Sequence, residues 1–565
     1  MSNPDFLVVV ECKGDIKHHV SPDMNMPVAY AVDGVLHYAD SLSKEFNVIA
    51  VAVSGQNTDQ LLISTYLRTK GSLVAKELKT KGGASIESII PWADYIEHAT
   101  FDPAVQRLRT DELMAFSREL HEFMRDYAKL TENEKPLMVS GTLIALQNAA
   151  FAASYQAYSP EDLQIHWFRV IREEIDKAKL PQAKKYNMTQ PYSTISVHPE
   201  LSKPTAKHPK GPLFHLIDDI NQKVWPFISV YHDFDVVGQF YGEFLKYTGG
   251  DKKALGIVLT PRHITDLFAR LANVNKDSVV LDICAGTGGF PVSAMHHMMK
   301  DAITKAEKDR IKSKGLIGVE QQPNMYALAA SNMILRGDGK ANLHQGSCFD
   351  PGITAAIKGH NCDVGMINPP YSQQDDDLHE LVFVKHMLDC LVAGGIGIAI
   401  IPLPKVIAPH PAKTELLKKH TLEAVMTMPN ELFYPVGRAT VIAVFTAHKP
   451  HATSKKKTWL AYWKDDGYVK TKHLGRIDQN SKWEVIRNRW VETFRNREDI
   501  KGESFKKALT PADEWCAEAY MPTDYGSITQ GQLSTQLKKH IVYKIMERER
   551  FSEMMGIDED GEDVG

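Results

Sequence analysis

The sequence predicts an α/β protein built on a doubly wound, mostly parallel sheet. Within residues 251–450, short apolar runs alternate with amphipathic stretches, which is typical of strands and helices in such a sheet. Two of the predicted strands end on an acid, Asp282 and Glu320, and a third ends on the loop Asn368–Tyr371. Open α/β sheets place their sites at the carboxyl ends of strands, so these residues are expected to mark one site.

Length and composition limit the number of domains and the class of protein. The chain has 565 residues, enough for three or four domains, and the predicted segments are 1–100, 101–250, 251–450 and 451–565. Six scattered cysteines without a C-x-x-C pair indicate neither a zinc site nor a disulfide framework. No apolar run reaches membrane-spanning length, so a cytoplasmic location without membrane contact is expected. The formal net charge of -4 is unusual for a protein that would grip nucleic acid alone.

Residues 1–100 are predicted to form a small α/β segment. The run Phe6–Lys13 predicts a strand that carries Glu11 and Lys13, residues 31–42 predict a helix, and residues 46–53 predict a second strand.

Residues 101–250 are predicted to be mostly helical. Leu113, Phe116, Leu120 and Phe123 recur at helical spacing. Ser159 followed by Pro160 and two acids predicts a helix start. The stretch from Pro181 to Pro212, rich in Pro, Lys and Ser, is interpreted as a loop.

The stretch 278–320 predicts a nucleotide-type pocket. A strand ends at Asp282 and Ile283, and a loop with Ala285, Gly286, Thr287 and Gly288 leads into a helix. The glycines let the backbone pass close to a ligand. Asp282 can meet an ammonium group, and Glu320 at the next strand end can take ribose hydroxyls. The loop is neither G-x-G-x-x-G nor a P-loop, so the sequence predicts an adenosine ligand with an amino-acid tail, S-adenosylmethionine.

The candidate catalytic loop follows a predicted strand at residues 364–367. Pro369 and Pro370 fix a rigid turn, because consecutive prolines cannot continue a sheet. The Asn368 side-chain carbonyl and the Pro369 carbonyl can together accept both hydrogens of a planar amino group. Tyr371 offers a ring on which a base can stack. This arrangement suits methylation of an exocyclic amine.

The remaining elements are a helix at 378–391, a strand at 395–401 and a last sheet strand at 439–446. After it come the basic run Lys455–Lys457 and the aromatic stretch Trp459–Trp463, which together are interpreted either as a nucleic-acid contact or as a solvated strand edge. A charged helix at 532–555 and an acidic tail at 558–563, expected to be disordered, end the sequence.

With these motifs in order, residues 235–446 resemble the modification subunit of type I restriction–modification systems, in the gamma-ordered amino-methyltransferase group. The resemblance implies that Thr260 and Pro261 close over the cofactor and that residues 428–435 flank the target base. It also assigns Ser347 and Cys348 to the adenine of the cofactor, although the family usually has an acid where Ser347 stands. The implied reaction is N6-methylation of adenine in double-stranded DNA. The implied partners are a specificity subunit and a restriction subunit.

The amino-terminal segment resembles the Pro-Asp…Glu-x-Lys nuclease fold of restriction subunits. That resemblance implies metal binding by two carboxylates, with Lys13 orienting water. Asp5 lies on the same predicted strand as Glu11 rather than on a preceding strand. A truncated or degenerate remnant without a metal site is therefore expected, and a plain α/β segment with a solvated Lys13 is the alternative.

Three other functions share parts of this pattern. Protein glutamine methylation uses the same Asn-Pro-Pro-Tyr loop, because a primary amide also needs two acceptors. Cytosine N4-methylation is a weaker alternative, since that group more often has serine in place of Asn368. A non-catalytic scaffold that senses the cofactor is the alternative from another class. The carboxy-terminal extension is expected to serve partner or DNA contact.

Overall fold

The computed structural model describes most of the chain, in two compact units. One unit comprises Met1–Arg262 with Ala285–Ile353, and the other comprises His263–Cys284 with Thr354–Gly565. The described residues are 6–57, 60–80, 83–177, 181–230, 236–245, 259–336, 342–372, 378–433, 437–454, 456–471, 475–480, 482–521 and 529–555. Asp5, residues 256–258, Lys455, residues 434–435 and the acidic tail lie outside them.

The strands are numbered in chain order. They are β1 Phe6–Lys13, β2 Asn47–Ser54, β3 Leu62–Arg68, β4 Lys76–Glu77, β5 Val280–Asp282, β6 Leu316–Glu320, β7 Asn342–Gln345, β8 Val364–Ile367, β9 Ile396–Pro402, β10 Thr421–Thr427, β11 Thr440–Thr446, β12 Thr458–Tyr462, β13 Val469–Thr471, β14 Gly475–Ile477 and β15 Ser504–Lys507.

The α-helices are numbered in the same way. They are α1 Ala31–Leu42, α2 Trp92–Thr100, α3 Pro103–Asp126, α4 Glu134–Leu146, α5 Ala149–Ser154, α6 Pro160–Asp176, α7 Gln182–Ile195, α8 Gly211–Asp219, α9 Trp225–Val230, α10 Val236–Leu245, α11 Arg262–Leu271, α12 Gly289–Asp301, α13 Lys305–Arg310, α14 Pro323–Leu335, α15 Pro351–Lys358, α16 Glu380–Cys390, α17 Leu403–Ile407, α18 Pro411–Lys419, α19 His451–Ser454, α20 Trp483–Asn496 and α21 Gln530–Met555.

The amino-terminal sheet has the order β1-β2-β3-β4. β1 and β2 are parallel and are joined through α1, and β3 pairs antiparallel with β2. Every residue of β2 is buried, because α1 covers one face while a second apolar cluster covers the other. The predicted strand–helix–strand order of this segment is confirmed.

A layer of helices follows, and one prediction within it is wrong. Ser159 caps α6 as predicted, with its hydroxyl accepting from the Asp162 N–H. The predicted loop from Pro181 to Pro212 instead contains α7, with Pro191 inside it. Met188, Tyr192 and Ile195 are buried on one face, and the Tyr192 hydroxyl lies 3.0 Å from that of Ser140. Burial of this apolar face stabilises a helix in a segment whose polar composition suggested a loop.

The second unit contains seven strands of a mixed sheet in the order β15-β12-β10-β11-β9-β8-β5. β5, β8 and β9 are parallel, whereas β11 is antiparallel to both β9 and β10. The prediction that the sheet ends at residues 439–446 is therefore wrong. β12 pairs with β10, and β15 pairs with β12. The basic run before β12 obscured an apolar strand in which Trp459, Leu460 and Ala461 are fully buried. The predicted domain boundaries themselves remain predictions.

In the first unit, β6 and β7 form a parallel pair in which Glu320 lies opposite Gln345. Helix α14 follows β6 and packs against α4 and α7, so the helical layer is built onto this pair. Within the residues that the structure describes, no single helix has the length and apolar character to cross a membrane. One bent pair, Glu134–Leu146 with Ala149–Ala157, meets those limits across a 95° bend.

The carboxy-terminal extension holds helix α11 through a buried charged cluster. The Asp466 carboxylate, 1% exposed, lies 3.4 Å from His263 Nε2 and 2.6 Å from Arg476 Nη2. The His263 ring stacks on Tyr468 with centroids 4.1 Å apart. Arg487 of α20 adds a contact of 3.3 Å to Asp266 on the same helix. The extension is thus part of this unit's core as well as a candidate partner surface.

We expect Asp466→Ala to lower the free energy of unfolding by about 3–5 kcal/mol, because it leaves the Arg476 guanidinium, whose side chain is only 10% exposed, without its carboxylate partner. The neighbouring Asp465→Ala is the matched control, since Asp465 is exposed. Urea denaturation of both variants measures the difference. Equal midpoints for the two variants would contradict a stabilising role for the cluster.

Candidate active site

Asp282 ends β5 in a fully buried position. Its Oδ1 accepts a hydrogen bond from the Cys284 N–H at 3.0 Å, so the carboxylate also fixes the turn that leaves the strand. A buried carboxylate is costly unless it has hydrogen-bond donors or a cation to meet. Its position at a carboxyl strand end, where a ligand ammonium group can approach, is the one that the sequence predicts.

The candidate catalytic loop follows the strand next to β5. β5 and β8 are parallel, with Val280 opposite Val364 and Leu281 opposite Gly365. Asp282 and Asn368 therefore come off neighbouring strands at the same edge of the sheet. Gly365 is required here, because a Cβ at this position would lie 2.6 Å from Met387 Sδ of the covering helix α16.

The glycine loop lies in the first unit and is covalently continuous with β5. Gly286 and Gly288 have positive φ angles of +54° and +85°, which other residues rarely adopt. A Cβ at Gly286 would meet no atom within 4 Å, so space is open in front of this backbone. The Ala285 N–H donates to the Val319 carbonyl at 2.9 Å, and Thr287 O accepts from Asn332 at 2.8 Å.

Glu320 ties the glycine loop to the end of β6. Its Oε2 accepts from the Gly286 N–H at 2.8 Å, and its Oε1 accepts from the Gln322 N–H at 2.7 Å. Burial raises the pKa of this carboxyl above its ordinary value, while these backbone donors act in the opposite direction. Each oxygen keeps a second lone pair, so the carboxylate can still accept from a vicinal diol.

Ser347 and Cys348 lie beside Glu320, after β7. The Gly346 N–H donates to the Glu320 carbonyl at 3.0 Å, which joins the two strand ends. The Ser347 hydroxyl accepts from the Phe349 N–H at 3.3 Å, so it stabilises its own turn, and Cys348 is buried. The structure thus brings the predicted adenine-side residues next to the predicted ribose acid. Thr260 and Pro261 are half-buried and immediately precede α11.

The loop Asn368–Tyr371 is held by two residues that sequence reasoning missed. Glu380, fully buried at the start of α16, accepts from the Ser372 N–H at 3.0 Å and from its hydroxyl at 3.1 Å. Lys405 Nζ donates to the Ser372 hydroxyl and lies 3.7 Å from Glu380 Oε2. Asn368 is half-buried, Pro369 is buried and Pro370 is exposed. No local motif announces Glu380, which acts eight residues after Ser372.

Tyr371 is buried, at 7% exposure, beneath residues that follow β10. Phe433 packs edge-on against its ring with centroids 6.1 Å apart, and the Arg438 guanidinium lies 5.9 Å from the ring centroid. Burial, with the nearby Glu380 charge, raises the pKa of Tyr371 far above its ordinary value, and Arg438 opposes this. Among the described residues, its hydroxyl has no hydrogen-bond partner. Phe433 belongs to the predicted 428–435 flank.

Glu11 and Lys13 of the amino-terminal segment form an ion pair with each other. Lys13 Nζ lies 2.8 Å from Glu11 Oε1 and 2.9 Å from the Val28 carbonyl. Within the described part of the chain, no group of three or more His, Cys, Asp or Glu side chains is arranged to hold a metal ion. The nuclease resemblance therefore remains a prediction.

Known DNA methylases resemble this chain in sequence. The family model described as N-6 DNA Methylase matches residues 232–520. The type II restriction enzyme and methyltransferase RM.BcgI of Heyndrickxia coagulans is 32% identical over 514 residues, 88% of this chain and 80% of that protein. The type I restriction enzyme EcoKI methylase subunit of Escherichia coli K12 is 25% identical over 38% of this chain and 44% of its own length.

Two further similarities bear on length and fold. The MjaVII methylase subunit of Methanocaldococcus jannaschii is 24% identical to this chain. The chain spans about half the length of this subunit and of the EcoKI methylase subunit. A chain from a structure of the type I R-M system superposes with a TM-score of 0.52 at 16% identity. The match covers 78% of this chain and 98% of the other. This similarity confirms the predicted fold class.

His379 predicts an acid-dependent loss of stability. It caps α16, with Nδ1 accepting from the Leu381 N–H at 3.2 Å, and it stacks on His410. The pKa of His379 is lowered from 6.5 to about 4. Burial is the largest cause, and the neighbouring His410 charge is the second. Between these values the unfolded chain binds a proton that the folded chain does not, so stability falls as the pH falls through this window.

We expect His379→Asn to reduce this pH dependence, since asparagine caps helices without titrating. Urea midpoints measured at several pH values in that window test it. His410→Asn removes the second cause of the lowered pKa and keeps the His379 cap, so it should reduce the pH dependence only in part. The same pH dependence in wild type and His379→Asn would show that His379 carries none of it.

Proposed function

This chain belongs to the N-6 DNA methylase family of adenine-specific DNA methyltransferases, and we propose that it transfers a methyl group from S-adenosylmethionine to the N6 amino group of adenine in DNA. Its role would be that of the modification subunit of a restriction–modification system. The observation that carries the proposal is the parallel register of β5 and β8, which sets Asp282 and Asn368 at one sheet edge. A methyl donor and an amino acceptor must meet within bonding reach, and neighbouring strand ends provide that proximity.

The residues around the glycine loop fit the cofactor. Open space at Gly286 permits close approach of a ligand to the backbone. We assign the ribose hydroxyls to Glu320, the ammonium group to Asp282 and the adenine to the turn of Ser347 and Cys348. Thr260 and Pro261 are assigned to the methionine end, and Ala285, Thr287 and Gly288 shape the loop. The bound cofactor supplies an electrophilic methyl group on a sulfonium.

The residues after β8 bind and orient the amine. The Asn368 side-chain carbonyl and the Pro369 main-chain carbonyl accept the two N6 hydrogens, which favours a geometry in which the nitrogen lone pair can attack. Pro370 keeps this turn rigid, and the anchor of Ser372 on Glu380 and Lys405 fixes where it ends. The Tyr371 ring would take the base face.

The target adenine must leave its duplex to reach this loop. Phe433 packs edge-on against Tyr371, so the ring becomes available to a base only when the Phe433 side chain shifts. We therefore infer that base entry displaces the Phe433 side chain from the Tyr371 ring. The other functions that share this loop, protein glutamine methylation, cytosine methylation and a non-catalytic scaffold, are not favoured by the family match.

A specificity subunit is the partner that we propose for this chain. Helix α21 has exposed Leu533, Leu537 and Ile541 at four-residue spacing, which forms an apolar stripe. The net charge of -4 gives the chain little general attraction for phosphate. A partner that binds DNA and covers this stripe would account for both features. A restriction subunit is a further proposed partner.

We expect Glu320→Ala to weaken S-adenosylmethionine binding by about 1.5–3 kcal/mol, the range for lost hydrogen bonds to a charged group. The variant loses the proposed ribose contacts and also the tie to Gly286. Calorimetry with the cofactor measures it. Glu518→Ala, which removes a carboxylate outside the proposed site, is the control. Unchanged affinity in Glu320→Ala would refute the assignment of the ribose acid.

We expect Asn368→Ala to lower methyl transfer on the order of 10²–10³-fold or more, because one preorganised hydrogen-bond acceptor for the amine is lost. Cofactor affinity should stay close to that of wild type. Tyr371→Phe is the matched control, since it keeps the ring and removes a hydroxyl without a partner among the described residues. Tritium transfer to DNA, with calorimetry alongside, gives both readouts. Wild-type turnover in Asn368→Ala would exclude this mechanism.

We expect sequence-specific methylation to require the partner and to be lost when the chain is truncated before Gln530. Cofactor binding should survive, because the site residues precede the truncation. Methylation mapping with and without the specificity subunit is the measurement. Efficient modification of one defined site by the chain alone would show that it reads DNA sequence by itself.

A further inference from the structure

A cavity of about 700 Å³ lies at the carboxyl end of β9, in the second unit. Its walls come from two segments, 402–408 and 437–439, and they are mostly apolar, including Pro402, Leu403 and Pro404. Two cations, Lys405 and Arg438, line it as well, and no lining residue is acidic. This volume falls in the range of cavities that hold small ligands.

The two cations differ in what they are free to bind. Lys405 is engaged with the Ser372 hydroxyl and lies 3.7 Å from Glu380, a fully buried carboxylate. Its charge is therefore balanced within the protein. Arg438 is exposed, and among the described residues no carboxylate lies within ion-pair distance of it. Arg438 thus gives the cavity its uncompensated positive charge.

Arg438 also connects the cavity with the catalytic loop. Its guanidinium lies 5.9 Å from the Tyr371 ring centroid, and Tyr371 is three residues from Asn368. A molecule that fills the cavity and reaches Arg438 would therefore lie next to a base that is stacked on the Tyr371 ring. A planar guanidinium beside an apolar wall suits a phosphate attached to a sugar, because it can donate two parallel hydrogen bonds to phosphate oxygens.

We propose that this cavity binds the nucleotide adjacent to the target adenosine on the same DNA strand, with Arg438 paired to the intervening phosphodiester and the apolar wall against the sugar. This inference rests on the proposed function, which brings a DNA strand to Asn368. It adds a binding site and assigns Arg438 as the residue that holds the strand in register once the adenine has left the stack.

The test measures DNA binding and its salt dependence for wild type, Arg438→Gln and Arg438→Lys. The probe is a short fluorescein-labelled single-stranded oligodeoxyadenylate, titrated by anisotropy in the presence of S-adenosylhomocysteine. Arg438→Gln should weaken binding and reduce the slope of log affinity against log salt by about 0.7, the value for one phosphate contact on a single strand. Arg438→Lys keeps the charge and should keep most of the slope.

Arg489→Gln is the matched control, since that arginine lies in the same unit and is already paired with Glu503. It should leave the slope unchanged. A loss of affinity in Arg438→Gln without a change in slope would mean that Arg438 only supports the Tyr371 ring, and it would overturn the proposal. Absence of measurable binding by the wild-type chain at low salt would overturn it too.

The same proteins separate this inference from the proposed function. Methyl transfer to DNA by wild type, with an unchanged salt slope in Arg438→Gln, refutes the cavity assignment and leaves the methyltransferase assignment standing. The predicted change in slope without any methyl transfer by wild type, even with the specificity subunit, would refute the methyltransferase assignment while the strand site stands.

Discussion

The parallel pairing of β5 with β8 is the constraint on which the site depends. With Leu281 opposite Gly365, both strands end at the same edge, and each delivers its polar residue there. A slip of one residue would turn every side chain of β8 to the other face of the sheet. Gly365 protects this register, because the close approach of Met387 leaves no room for a side chain.

Buried charges hold two of the candidate loops, one in each unit, by different means. The Glu320 carboxylate accepts from two backbone N–H groups, which joins the glycine loop to the end of β6. Glu380 is fully buried and is balanced by Lys405, with Ser372 between them. Removing one partner of such a buried ion pair leaves an uncompensated charge, which is strongly destabilising. The candidate catalytic loop is thereby fixed at its far end, while Arg438 is exposed.

Sequence patterns predicted the features that are local in the chain. Asp282, Glu320 and Asn368 follow short apolar strands, and strand ends can be located from a few consecutive residues. The Glu380–Lys405 anchor and the His263–Asp466–Arg476 cluster were missed, because they join residues far apart in sequence. Helix α7 and strand β12 were misjudged because polar or basic neighbours obscured an apolar face that only tertiary packing makes useful.

The identity of the methylated product tests the central claim most directly. DNA treated with this chain, the proposed specificity subunit and labelled S-adenosylmethionine is digested to nucleosides and analysed by mass spectrometry. The account predicts that the label appears in N6-methyl-2′-deoxyadenosine. Label in N4-methylcytosine, label only in protein glutamine, or no transfer by the assembled complex would contradict it.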